Sequence, residues 1–188
     1  MKNINDKINS IVSLFNQGQK QIALNEVNLL LSSNEKNIDL LFLYAKININ
    51  FNEIDKANYS LSKIIKLKPN NSEALKLIYV NYLKIKKYNL AEKYIDKLLS
   101  IENKNYELFR DKAFIEYLNN NYNNSEKFIK KALKINEREV FGLNILGLIK
   151  MEKKETLNAI ELFEKAISIN PNYTDSYNNL GKCFINLE

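Results

Sequence analysis

The chain has 188 residues, 45% of them apolar and 27% charged, with a mean hydropathy of −0.37; this places it in the soluble globular class, with enough apolar material for an ordinary core. Histidine is absent and cysteine occurs once, at Cys183, which removes the commonest general base and a leading metal ligand and rules out an internal disulfide. The net charge of +6 is almost all lysine, alternating with Glu and Asp, so clusters such as Lys84, Lys86 and Lys87, or Lys127, Lys130, Lys131 and Lys134, predict solvated helix faces rather than a phosphate track.

No run of about 18 apolar residues is present to span a bilayer. Residues 1–25 lack the continuous apolar stretch of a secretory signal, and a cytoplasmic location is expected. Four Gly and two Pro leave little material for hairpins, which favours helices joined by short polar turns.

One interval organises the chain. Ala23, Ala57 and Ala91 recur every 34 residues, and Ser125 and Ala159 continue the series. Aligned on it, a single domain (1–188) contains units at 4–37, 38–71, 72–105, 106–139 and 140–173 and a half unit at 174–188. A fixed period of roughly 20 to 50 residues marks stacked supersecondary units, each burying its apolar remainder against the next.

The first unit is the poorest, with Lys7 and Ser10 where core residues belong, as suits a cap with one solvated face. In the third, Leu75, Ile78, Tyr79 and Tyr82 recur at steps of three and four and predict a helix of about 14 residues. Leu90, Ala91, Tyr94, Ile95, Leu98 and Leu99 predict a second. Only Lys86, Lys87 and Tyr88 lie between, so the two helices have to be antiparallel neighbours. Asn37, Asn71 and Asn105 each precede a first helix by one residue and can cap it.

The fourth unit has Lys112 at an apolar slot, and its Asn119, Asn120, Asn121, Asn123 and Asn124 read as a polar turn around Tyr122. The fifth is the sharpest: Leu143, Leu146 and Gly147, then Ala159, Phe163, Ala166 and Pro171, with Gly142 and Gly147 read as packing glycines inside a helix. Tyr177, Leu180 and Gly181 begin the pattern again. The half unit supplies a first helix without its partner, so Phe184 and Leu187 are expected to lack cover, while Cys183 reads as a small buried residue.

With these columns the chain resembles the tetratricopeptide repeat family over nearly its whole length. It departs in having no Trp at the fourth slot and a terminal proline only at Pro69 and Pro171. The resemblance implies an all-α, right-handed superhelical solenoid of antiparallel helix pairs, five repeats plus one additional helix, first helices on the concave side. In that family, side chains at the second, fifth, ninth and twelfth slots of first helices face the groove. Carried over, the partner-binding residues are Phe42, Lys46 and Ile49, then Lys76, Val80 and Leu83, then Arg110, Phe114 and Tyr117, then Asn144, Leu148 and Met151.

The twelfth slot is apolar or aromatic throughout, from Phe15 to Ile185, and Lys46, Lys76 and Arg110 add positive charge. The implied partner is a protein or peptide segment with apolar anchors and acidic residues. Capture of chaperone C-terminal carboxylates is disfavoured. Lys76 is in place, but Val80, Leu77, Asp111 and Ile145 occupy slots where the family's other carboxylate ligands belong.

No serine or cysteine has a His partner, no Gly-rich phosphate loop occurs, and Asp and Glu are dispersed, so neither catalysis, cofactor nor metal is expected. Nucleic acid is not an expected partner either. The expected role is a non-catalytic scaffold. The recognition arm of a larger enzyme, such as a transferase, and a secretion chaperone shielding apolar segments are the alternatives, and self-association through the last helix stays open.

Overall fold

The computed structural model describes residues 3–186. Among these, every regular element is an α-helix. In chain order they are α1 (Ile4–Asn16), α2 (Lys20–Ser33), α3 (Ile38–Asn50), α4 (Ile54–Leu67), α5 (Ser72–Lys84), α6 (Tyr88–Ile101), α7 (Tyr106–Leu118), α8 (Tyr122–Ile135), α9 (Val140–Glu152), α10 (Thr156–Ile169) and α11 (Thr174–Ile185). The longer asparagine-rich turn expected in the fourth unit is confined to residues 119–121, because Tyr122, Asn123 and Asn124 form the opening turn of α8. Likewise Tyr88 is the first residue of α6 rather than part of the connection before it. Leu187 lies outside the described residues.

The connections explain why so few glycines suffice. Gly18, Asn52, Lys86, Asn120 and Lys154 all have positive φ, between 57° and 82°, and they stand 34 residues apart. The amide of the following residue bonds five residues back in each case: Gln19 to Leu14, Glu53 to Asn48, Lys87 to Tyr82, Asn121 to Glu116 and Glu155 to Lys150, at 2.8–2.9 Å. This is the Schellman closure of a helix C-terminus, which satisfies carbonyls that the helix leaves open. Only Gly18 occupies the left-handed position without steric cost, and Asn tolerates it better than Lys.

At the other end of each pair the expected caps form. The side chains of Asn37, Asn71 and Asn105 accept from the amides of Leu40, Ala74 and Glu107 at 3.0, 2.9 and 3.0 Å. Before α9 the same position is Glu139, whose carboxylate accepts from the Gly142 amide.

The chain divides within α6 into two compact units, Met1–Tyr94 and Ile95–Glu188. In the first, Ile11, Ala23, Val27, Leu40 and Ile47 form one buried cluster. Leu41, Ala45, Ala57, Leu61, Ile64, Ala74 and Ile78 form the next. Its buried polar fastening is neutral, with Asn81 Nδ2 donating to Asn58 Oδ1 at 2.8 Å.

In the second unit, Ala113, Ile129, Ala132, Ile145 and Ile149 make one cluster, and Ala159, Phe163 and Cys183 another. Gly147 shows how closely the helices approach, since a Cβ there would stand 2.5 Å from Phe163 Cε1. Ser125, in the alanine column, is buried and donates to the Ala113 carbonyl at 2.6 Å, so a hydroxyl fits the slot only by finding an acceptor. Lys112 is 3% exposed and pairs with Asp96 at 2.8 Å and Glu116 at 3.2 Å. Glu116 also accepts from Asn121 Nδ2 at 3.0 Å.

Candidate partner-binding faces

Each first helix buries one stripe against its neighbours and turns another outward, and the outward stripe is where the sequence places the binding residues. In the first unit, Phe42 and Ile49 on α3 are half-buried against the Leu41 cluster. Lys46 is exposed between them, 2.9 Å from Glu73 of α5 and 5.8 Å from the Phe42 ring centre. On α5, Lys76 is exposed, Val80 is 45% exposed and Leu83 is half-buried. This is a mixed face, apolar patches punctuated by ammonium groups.

The second unit presents a different surface. Phe114 meets Phe141 edge to face at 5.5 Å and 62°, and the Arg110 guanidinium lies 5.6 Å over the same Phe141 ring. Tyr117 contacts Tyr122 at 5.7 Å. Burial and the nearby Glu152 carboxylate raise the Tyr117 hydroxyl above its ordinary range, so it stays a neutral donor at physiological pH. Leu148 and Met151 are half-buried and pack against the Phe163 cluster.

Two of the expected site residues take other roles. Asn144 is 3% exposed, and its Oδ1 accepts from Ser176 at 3.2 Å and Asn179 at 3.0 Å, tying α9 to α11. An amide with two buried donors is a fastening between repeats, and it is not presented on an open face. Arg110 is also committed internally, at 2.8 Å from Asp111 and 3.4 Å from Glu139.

With Lys46 on Glu73, this leaves Lys76, among the described residues, as the exposed cation of the predicted set that is not engaged by a carboxylate. The residue that sequence reasoning missed is Phe141, at the second slot. That slot was recognised as facing outward, but elsewhere it holds Asn5, Asp39, Glu73, Glu107 and Asp175, and the aromatic exception was the available signal.

Among the described residues no three Cys, Asp or Glu side chains gather in an arrangement that could hold a metal ion, and no helix is long and apolar enough to cross a membrane. Cys183 is buried, and that burial raises its thiol pKa.

Models of the tetratricopeptide repeat match residues 142–173 and 162–188. With the same helix pair recurring at the same period upstream, these matches support a tetratricopeptide-repeat fold for the chain. No curated protein sequence matches it.

Among solved structures, it is similar to MamA (residue 41 to the end) from Desulfovibrio magneticus RS-1: TM-score 0.81, 18% identity, covering 90% of this chain and 96% of that one. YrrB, described as a TPR protein with an unusual peptide-binding site, gives a TM-score of 0.80 at 13% identity, over 92% of this chain and 89% of that one. A thermophilic TPR protein in Thermus thermophilus gives 0.64 at 13%, over 96% and 98%. At these identities the likeness establishes the fold.

Proposed function

We propose that the chain is a non-catalytic protein-interaction scaffold whose first-helix faces hold apolar segments of a partner. The observation that carries this is the aromatic face of the second unit, where Phe114, Phe141 and Tyr117 are half-buried and pack on one cluster, with half-buried Leu148 and Met151 on the next. Rigid aromatic side chains present a large contact area at little entropic cost, which is why they dominate interface energetics.

Because Arg110 is neutralised by Asp111 and Glu139, this face suits an uncharged apolar or aromatic anchor. Lys76 on the first unit's face suits an acidic residue of the partner. YrrB, with the same fold, is described as having a peptide-binding site, which supports the same class of ligand. A cytoplasmic setting belongs to the proposal, since the fold uses its one cysteine as a buried thiol.

The test is a selection of displayed peptides against the whole chain, followed by affinity measurement on the purified hits. Phe114→Ala combined with Tyr117→Ala is expected to weaken the selected peptides by about 30-fold or more, equivalent to about 2 kcal/mol, with unchanged helical circular dichroism. Undiminished binding by the double variant would overturn the assignment.

A further inference from the structure

The second repeat (38–71) lacks a ring that the fourth (106–139) contains. On α8, the Phe128 ring stacks on Phe109 of α7 at 6.5 Å, and the ammonium groups of Lys131 and Lys112 lie 5.4 and 5.6 Å from its centre. Two periods earlier, the positions of Phe128, Phe109, Lys131 and Lys112 are held by Ser60, Leu41, Lys63 and Tyr44. The third and fifth repeats also carry a large residue at the Ser60 position, Tyr94 and Leu162. Where that side chain is small, a cleft of about 230 Å³ opens, its wall including Leu31 of α2, Leu41 and Tyr44 of α3, and Tyr59, Ser60 and Lys63 of α4. It lies within the first compact unit. Tyr44 stands two residues after Phe42, so the cleft is on the other side of α3 from the predicted binding stripe.

We propose that this cleft binds the tyrosine side chain of a partner protein. The incoming ring takes the place that Phe128 fills in the fourth repeat, lying on Leu41 as Phe128 lies on Phe109, with the Lys63 ammonium over it in the role of Lys131. That ammonium already rests on a phenol face, 4.8 Å from the ring centre of Tyr59, which is 64% exposed. The quadrupole of an aromatic ring attracts a cation placed over its face. The volume suits one side chain, since it is below the roughly 300 Å³ at which pockets for drug-sized ligands begin.

Ser60 selects a phenol over a plain phenyl ring. It is 3% exposed, and among the described residues its hydroxyl has no hydrogen-bond partner. A ring supplied from outside enters in the opposite sense to Phe128, so its para position points inward to Ser60. A para hydroxyl there pairs with the buried serine, whereas a phenyl edge leaves it unpaired, and a site built to bond a hydroxyl rejects the analogue without one. The identity of the occupant rests on the scaffold reading. The cleft does not, because it uses none of the residues assigned to the first-helix face.

The experiment titrates N-acetyl-tyrosinamide, a neutral stand-in for a tyrosine within a chain, into the full protein and follows backbone amide shifts by NMR. Saturable binding is expected, with a dissociation constant on the order of 1 mM for a ligand of this size. Ser60→Phe fills the cleft as Phe128 does and should weaken the probe about tenfold or more, with circular dichroism checking the fold. Lys63→Met keeps the stem, removes the charge and should weaken it about threefold. N-acetyl-phenylalaninamide should bind the parent chain about fivefold more weakly than the tyrosine probe. The Phe114→Ala, Tyr117→Ala chain should bind the probe like the parent. No saturable binding, unchanged affinity in Ser60→Phe or Lys63→Met, or equal affinity for the phenyl analogue overturns the proposal. So does loss of binding in the Phe114→Ala, Tyr117→Ala chain, which would put the probe on the first-helix face.

Discussion

The two compact units close the same helical pairs with different polar chemistry. In the first, the buried fastening is the neutral Asn58–Asn81 amide pair. The second has a neutral fastening too, Asn144 with Ser176 and Asn179, but adds ionic ones: Lys112 sits between Asp96 and Glu116, and Glu126 is surrounded by Lys130, Lys150 and Lys153 at 2.7, 3.1 and 2.6 Å. The repeat geometry asks only that a polar group at these crossings be satisfied. Amides accomplish this without reference to pH, whereas ion pairs couple the unit's stability to protons and, at their exposed members, to salt.

The largest effect is expected at Lys112. Lys112→Met leaves Glu116 buried without its counter-charge and should cost about 3–5 kcal/mol in urea unfolding followed on the second unit. Pairing it with Glu116→Leu should recover most of that loss, and a double variant as unstable as the single one would contradict the ionic account.

A smaller effect is expected in the first unit. Asn81→Leu leaves Asn58 Oδ1 buried without its donor and should cost about 1–2 kcal/mol, equally at low and high salt. A strong salt dependence there would erase the distinction between the units.

The smallest effect is expected at Glu126, and it vanishes in acid. Hydrogen bonds from Lys130 and Lys153, joined by Lys150, hold the Glu126 carboxyl at about 2, against the opposing effect of burial. A depressed carboxylate pKa stabilises the fold above the unfolded value near 4.5, and that contribution is lost as the pH falls toward 2. Glu126→Gln should therefore lower the melting temperature at pH 6, by an amount equivalent to no more than about 1 kcal/mol given its solvent screening. The variant and the parent should converge near pH 2.

What the sequence showed, and what it hid, follows from the range of each interaction. The alanine column, the asparagine caps and the packing role of Gly147 were legible because helix periodicity and capping are local. The recurrent left-handed residue was also present in the register, at Gly18, Asn52, Lys86, Asn120 and Lys154, but its residue types vary too much to announce a shared backbone state.

Lys112 was visible as a departure, yet its partners were not. Asp96 lies on the preceding helix, and Glu116, though one turn away, looks like any surface acid. Asn144 was assigned to an open face because slot position fixes direction only on average. Whether α11 leaves room above a slot depends on Ser176 and Asn179, which no pattern within α9 reveals.

The account stands on the outward stripe of the first helices being the surface that meets a partner. A photoreactive phenylalanine placed at Val80 or at Phe114, compared with the same group at the exposed Lys134 on α8, tests this with a selected peptide ligand. Crosslinks from the first two positions and none from the third are predicted; crosslinks from Lys134 with none from Val80 or Phe114 would contradict it.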